Sequence, residues 1–182
     1  MKNIALTLMA GVTLGAATAV AGTVAAPVMD KNPVLPPENC YQAGELVVKP
    51  FFNVTMFDKV GGHADWTRDD YYGGGLALDY YLTDRIGLGL EGSWIDTPSV
   101  LHNYNVNLTY RLTCPSNCFS LYALGGGGVF TNGSTVGSVH IGAGAEYRFT
   151  HSMGAFVDGR YTWIDGGDMT ATILRAGLSF KF

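Results

Sequence analysis

The stretch ATILRAGLSFKF, residues 171–182, decides the fold of this chain. Every second side chain from Leu174 to Phe182 is apolar, and Arg175, Gly177, Ser179 and Lys181 alternate with them. This period of two predicts a β-strand with one apolar and one polar face. An exposed apolar strand of this kind would aggregate in water. In a transmembrane barrel, lipid covers the apolar face and closure pairs the edge, so the stretch predicts the closing strand of such a barrel.

Seven further segments between residue 44 and residue 163 are separated by turn signals such as Thr83-Asp84 and Asn132-Gly133. They show the same alternation, although the glycines at residues 125–128 blur its phase in the fifth strand, residues 119–130. Pro50 is the weakest point of the first segment, because proline cannot donate a ladder hydrogen bond. The fold class predicted is therefore all-β, an eight-stranded antiparallel up-and-down transmembrane β-barrel. The loops near residues 58–70, 95–100, 131–135 and 164–170 fall at one end, and the turns near residues 83–84, 113–118 and 150–153 fall at the other.

Aromatic side chains of the apolar face sort to both ends of the predicted strands. Such belts are typical of membrane–water interfaces, whereas a soluble barrel would place its apolar face inside. With the C-terminus on the periplasmic side, the outer belt holds Tyr72, Trp94, Tyr104, Tyr161 and Trp163, and the inner belt holds Tyr80, Tyr110, Tyr147, Phe149, Phe180 and Phe182.

The N-terminus has the pattern of a secretory signal peptide, with Lys2 before an apolar run and a small-x-small site that ends at Ala21. We expect residues 1–21 to be removed, so that Gly22 begins the mature chain. The alternative is an uncleaved transmembrane helix from Ile4 to Val28. Residues 22–43 are rich in proline and predict a periplasmic linker or plug, and residues 44–182 predict the barrel.

Charged residues on the polar strand faces should point into the lumen. A barrel of eight strands is just wide enough for its side chains to fill it, and opposite charges should pair there because an unpaired buried charge is costly. We favour a packed ionic core over a narrow conducting path. The predicted residues are Lys49, Asp79, Glu91, Arg111, Glu146, Arg148, Asp158, Arg160 and Arg175, with Lys181 near the end of the last strand.

The alternation through residues 142–149, the stretch Val157-Asp158-Gly159-Arg160-Tyr161 and the terminal Leu178-Ser179-Phe180-Lys181-Phe182 resemble the outer-membrane β-barrel domain family, with its OmpX-like barrels and the OmpA transmembrane domain. The resemblance covers about residues 44 to 182. It implies localisation in the bacterial outer membrane. It also implies that Leu178, Phe180 and Phe182 form the signal read by the barrel-assembly machinery.

Three cysteines leave the disulfide pairing open. Cys114 and Cys118 flank one turn and could close a small ring, whereas Cys40 lies at the same barrel end and could pair with either. The export route permits oxidation. The local pair of Cys114 with Cys118 is favoured slightly, because its effective concentration is high.

Catalytic, cofactor and metal sites are not predicted. His63, Asp65 and Asp69 share one loop without a serine nearby, and His102, His140 and His151 fall in different strands or turns. The net charge of −4 and the absence of a basic patch argue against a nucleic-acid partner.

The predicted function is that of an integral outer-membrane barrel with a structural or surface-interaction role and a side-chain-filled lumen. Outer-membrane lipid is its expected partner, and the protein is expected to be a monomer. One alternative is a small ion or solute channel. A less favoured one is a lipid-modifying enzyme that depends on His63 or His140.

Overall fold

The computed structural model describes residues 40–59, 70–113, 118–165 and 169–182. The predicted signal peptide, the cleavage point at Ala21 and Gly22, and most of the proline-rich segment lie outside these ranges. The eight strands are β1 (Leu46–Lys59), β2 (Tyr71–Tyr81), β3 (Ile86–Ile95), β4 (Leu101–Arg111), β5 (Phe119–Asn132), β6 (Ser134–Arg148), β7 (Met153–Ile164) and β8 (Met169–Lys181).

The strands pair in sequence order, all antiparallel, and β8 returns to pair with β1, which closes the barrel. Val48 lies opposite Phe180, and Val54 lies opposite Leu174. The predicted eight-stranded antiparallel barrel is therefore confirmed. Within the described ranges no helix is long and apolar enough to cross a membrane, a finding that does not bear on crossing by strands.

The pairing register gives the barrel its stagger. Starting at Leu101 on β4 and stepping from partner to partner around the barrel, one passes Ile95, Asn53 and Asp158 and returns to β4 at Arg111, ten residues away. A stagger of this kind tilts the strands against the barrel axis. The ten-residue stagger is spread over eight strands. The pairing register therefore shifts along the barrel axis by little more than one residue from each strand to the next.

The last strand behaves as its alternation predicts. Leu174, Ala176 and Leu178 are exposed on the outside, whereas Arg175 and Ser179 are buried in the lumen. The aromatic residues of both predicted belts are also exposed, apart from the half-buried Phe180. An apolar exterior around a polar interior is the arrangement expected of a barrel surrounded by lipid.

Two local features refine the prediction. The β1–β8 ladder lacks the pairs at Lys49 and Pro50 and resumes at Phe51 in the same register, as expected where proline lacks a donor. The loop predicted at residues 131–135 is shorter than expected, because pairing continues to Asn132 opposite Ser134. Only Gly133 separates the two strands, and its φ of +76° is a conformation that glycine adopts at little cost.

Candidate functional site in the barrel lumen

The nine charged residues predicted to face the lumen all lie inside the barrel, and each is at least 94 % buried. Each also takes part in at least one ion pair. We call the end that holds Tyr41 and Phe182 the proximal end and the opposite end distal. The charges form a distal and a proximal cluster.

The distal ion cluster consists of Glu91, Asp158, Arg160 and Arg175. Arg160 Nη2 lies 3.0 Å from Glu91 Oε2, and Arg175 Nη1 lies 2.5 Å from the same oxygen. The other side of the Arg175 guanidinium bonds both carboxylate oxygens of Asp158, at 2.7 and 2.6 Å. Such charge-assisted, two-pronged contacts are strong and directional. They offset the cost of removing the four charges from water.

Neutral groups complete the distal cluster. The side-chain amides of Asn105 and Asn107 donate to the two oxygens of Glu91, at 3.4 and 3.2 Å. Asn107 Oδ1 in turn lies 2.7 Å from the ring nitrogen Nε2 of the buried His140. The hydroxyl of Tyr122 donates to Asp158 at 2.9 Å. Two of the asparagines on the polar face of β4, Asn105 and Asn107, thus bond to the carboxylate of Glu91 in the lumen.

Lys49 contacts residues of both parts of the lumen. Its Nζ is 2.9 Å from Asp79 and 3.4 Å from Glu146. The ammonium also lies 5.4 Å from the ring centroids of Tyr122 and Phe156, within the range of a cation–π contact. Lys49 therefore links the proximal carboxylates to the aromatic groups beside the distal cluster.

The proximal ion cluster is built around Glu45, which precedes β1 by one residue. Its carboxylate lies 2.5 Å from Arg111, 2.8 Å from Arg148 and 3.5 Å from Lys181. Burial acts to raise the pKa of Glu45, but the hydrogen bond from Arg148 and the charges of Arg111 and Arg148 outweigh it and lower the pKa. Glu146, 3.0 Å from Arg148, completes this cluster.

A short segment that we call the strap, residues 40–43, crosses the proximal mouth. Tyr41 is almost fully buried, and its hydroxyl donates towards the backbone oxygens of Cys118 and Glu146, at 3.2 and 3.1 Å. Its ring centroid is 4.4 Å from the guanidinium of Arg111 and 4.3 Å from that of Arg148. Burial, followed by the charge of Glu146, raises the pKa of the tyrosine.

The strap is fastened by a disulfide between Cys40 and Cys118, whose Cα atoms are 5.1 Å apart. The favoured pair of Cys114 with Cys118 is therefore wrong, and one of the predicted alternatives is formed. The physical reason is the docking of Tyr41 between two arginines, which brings Cys40 beside the start of β5. Spacing along the chain cannot reveal that contact.

The distal mouth is closed by apolar side chains. Ile95, Leu101, Phe130, Ala171 and Ile173 form a buried cluster, the distal apolar layer, against which Phe57, Tyr71 and Ile164 pack. Several polar atoms of the lumen are buried and find no hydrogen-bond partner among the described residues. They include the amide oxygens of Asn53 and Asn103 and the hydroxyl groups of Thr55, Ser93, Ser138 and Thr162.

The histidines considered for catalysis are not brought together. His140 lies in the lumen, His102 stacks on Tyr104 on the outer surface, and His151 is exposed in a proximal turn. His63, Asp65 and Asp69 lie outside the described residues. Among the described residues, no group of three or more histidine, cysteine, aspartate or glutamate side chains could hold a metal ion.

Sequence reasoning missed two groups of lumen residues. Glu45 and Tyr41 precede the first strand, where no alternation exists to assign a direction to their side chains. Tyr81 and Tyr122 were not among the predicted lumen residues, although both point inward. The alternation places Tyr81 on the face of Asp79, and the ring centroid of Tyr81 lies 3.3 Å from the guanidinium carbon of Arg111. Tyr122 lies in the fifth strand, where the glycines at residues 125–128 blur the alternation.

The strands form a closed barrel with apolar side chains on the outside and paired charges on the inside. These features define an integral membrane β-barrel. Residues 11–182 match the family model described as outer membrane protein beta-barrel domain. The chain belongs to this family, whose place is the bacterial outer membrane. No curated protein sequence matches the chain significantly.

Solved structures share the fold at low sequence identity. Neisserial surface protein A is 14 % identical with a TM-score of 0.63, and the match covers 76 % of this chain and 99 % of that one. The N-terminal barrel domain of Pseudomonas aeruginosa OprF is 18 % identical with a TM-score of 0.60, covering 78 % and 99 %. Ail, the attachment invasion locus protein of Yersinia pestis, is 17 % identical with a TM-score of 0.55, covering 77 % and 99 %. At these identities the likeness shows the fold alone.

Proposed function

We propose that this protein is a non-enzymatic outer-membrane barrel with a structural or surface-interaction role, and that its own side chains close the lumen. The supporting observation is the matched set of buried charges, which bond to one another between the distal apolar layer and the strap. A filled interior is what a barrel of this size allows. The five carboxylates are Glu45, Asp79, Glu91, Glu146 and Asp158, and the five cations are Lys49, Arg111, Arg148, Arg160 and Arg175.

A permanent water-filled path would need charges that face water. The guanidinium of Arg175 instead lies between Glu91 and Asp158, and that of Arg111 lies against Glu45 and two tyrosine rings. An ion that entered the lumen would have to displace these contacts. This supports the structural role over the small-channel alternative.

The proposal is tested by conductance of the purified protein in planar bilayers. We expect no conductance steps from preparations whose insertion is verified independently by the heat-dependent gel shift of the same vesicles. Regular steps from the wild-type protein, at a frequency that rises with protein concentration, would establish the channel function instead.

The export route and assembly belong to the same proposal. Cleavage after Ala21 would leave Gly22 as the first mature residue, which N-terminal sequencing of the outer-membrane form tests directly. The aromatic side chain of Phe182 is the most exposed large apolar group of the described chain, at 74 %. It is therefore accessible to the barrel-assembly machinery as well as to lipid.

Two of the similar structures support a surface-interaction role. One is a Neisserial surface protein, and the other is the attachment invasion locus protein of Yersinia pestis. In this chain the connections of the distal end would carry any such contact, and lipid would surround a monomeric barrel. Binding of whole cells to extracellular matrix, compared with cells lacking the protein, tests this part of the proposal.

A further inference from the structure

The strap crosses the barrel mouth from one side to the other. Its C-terminal end continues through Glu45 into β1, whereas the disulfide joins Cys40 to Cys118, next to the start of β5. Strands β1 and β5 are four positions apart in a ring of eight and so lie on opposite sides of the lumen. The four residues 40–43 therefore form a bar over the proximal mouth.

The two ends of the strap are held in different ways. On the β1 side, Gly44 donates to the carbonyl of Tyr81 at 2.7 Å, and Tyr81 donates back to Glu45 at 3.0 Å. These backbone bonds belong to the barrel wall. On the β5 side, the covalent hold is the bond between Cys40 and Cys118, helped by the hydrogen bond from Arg148 to the Cys40 carbonyl.

Gly44 sits where the bar meets the wall. Its φ is +80°, a conformation that costs other residues energy, and a Cβ atom added there would meet nothing within 4 Å. The position therefore depends on backbone freedom and not on lack of space. A glycine between a fixed strand end and a segment fastened at its far end has the properties of a hinge.

We propose that the strap is a disulfide-locked lid on the proximal mouth, which swings about Gly44 when the bond between Cys40 and Cys118 is reduced. A dithiol reductant would supply the electrons. One of its thiolates attacks a sulfur of the disulfide, so that the bond between Cys40 and Cys118 breaks, one cysteine leaves as a thiolate that takes up a proton, and a mixed disulfide forms. The second thiol of the reductant then attacks the mixed disulfide and releases the other cysteine. The products are two cysteine thiols in the protein and one oxidised dithiol.

Opening changes what the proximal mouth presents. The ring of Tyr41 now covers Arg111 and Arg148, which are almost fully buried. Both arginines retain their ion pairs with Glu45, because Glu45 stays with the barrel wall. They lose their contact with the Tyr41 ring and become accessible to water. The reduced barrel thus exposes a pair of arginines at a mouth that the oxidised barrel closes.

Hydrogen–deuterium exchange of the full-length mature protein in lipid vesicles tests the lid. Dithiothreitol serves as the reductant, and a peptide covering the strap and β1 start is compared with peptides from β2 to β8. We expect reduction to speed exchange in the strap by at least tenfold and to leave the strand peptides unchanged. Cys40→Ser should reproduce the fast exchange without reductant.

Two variants distinguish the effect of the Cys40–Cys118 disulfide from the effect of the other contacts of the strap. Cys114→Ser leaves the Cys40–Cys118 bond intact and should retain slow exchange until reductant is added. Tyr41→Ala removes the docked ring but keeps the covalent hold, so its strap exchange should still rise further on reduction. If the strap of the wild type stays equally protected after reduction, or if all strands lose protection with it, the lid is contradicted.

Discussion

Glu91 on β3 and Arg160 on β7 form an ion pair across the full width of the barrel, with 3.0 Å between Oε2 and Nη2. Their strands are four apart in the ring of eight, so the pair ties opposite walls together. Arg175 bonds the same carboxylate oxygen. The wall strands are thus coupled through the lumen as well as through their ladders.

Removal of one charge from this pair should destabilise the barrel strongly. Glu91→Ala leaves Arg160 and Arg175 facing each other without their shared carboxylate, and breaking a buried pair costs about 3–5 kcal/mol. The measurement is the free energy of unfolding in urea, in lipid vesicles. Asp96→Ala is the matched control, because this carboxylate is exposed and its loss should change stability by less than about 0.5 kcal/mol. Equal effects of the two substitutions would show that the distal cluster contributes little.

The pH dependence of stability should follow Glu45. Its pKa is lowered in the folded protein from an ordinary value of 4.5, so the folded state favours the ionised form. The contribution is present above pH 4.5 and is lost as the pH falls through the folded pKa. We expect the urea concentration at half unfolding to decrease as the pH is lowered below 4.5. Glu45→Gln should make this concentration less dependent on pH in the same range. A midpoint that rises on acidification would reverse the predicted sign.

Replacing a buried hydroxyl group that lacks a hydrogen-bond partner should stabilise the protein. The hydroxyl of Thr162 has no partner among the described residues, and an unsatisfied buried polar group costs about 1–3 kcal/mol. Thr162→Val should therefore raise the free energy of unfolding. Ser179→Ala should lower it, because that hydroxyl donates to Glu146 at 3.1 Å. A loss of stability in both variants would mean that Thr162 has a partner in the membrane-embedded protein.

The cost of placing a charge on the lipid-facing surface should depend on its depth in the bilayer. Val106 is exposed in the middle of β4, whereas Tyr110 is exposed near its proximal end. An arginine at the bilayer midplane costs about 2–4 kcal/mol and one near the interface about 0–1 kcal/mol. Val106→Arg should therefore destabilise the protein in vesicles far more than Tyr110→Arg. Similar unfolding energies for both variants would contradict the placement of β4 across the bilayer.

The sequence predicts the wall of this barrel far better than its closures. Period-two alternation fixes which side chains of a strand share a face, so Arg175 and Leu178 could be assigned to lumen and lipid without a structure. The strap lies before the first strand and has no such period. Its position depends on the contact of Tyr41 with arginines from β4 and β6, far away in the sequence.

Pairing within the lumen was also beyond the sequence. Each ion pair depends on the stagger of the strands, which sets which charges share a height. Asp79 could have met Arg111 or Lys49 on charge alone, and only the register brings it to Lys49 at 2.9 Å. The same limit applies to the distal apolar layer, whose members come from four strands.

The most direct test of the account is the gel mobility of the protein from an isolated outer-membrane fraction, with and without boiling in SDS. A barrel with an apolar exterior and a paired polar interior should keep its fold in SDS until heated. We predict a compact, faster band in the unboiled sample that moves to the unfolded position on boiling. Recovery in the soluble fraction, with one unchanged band, would contradict the placement of Leu178 and Phe182 against lipid and the proposals built on it.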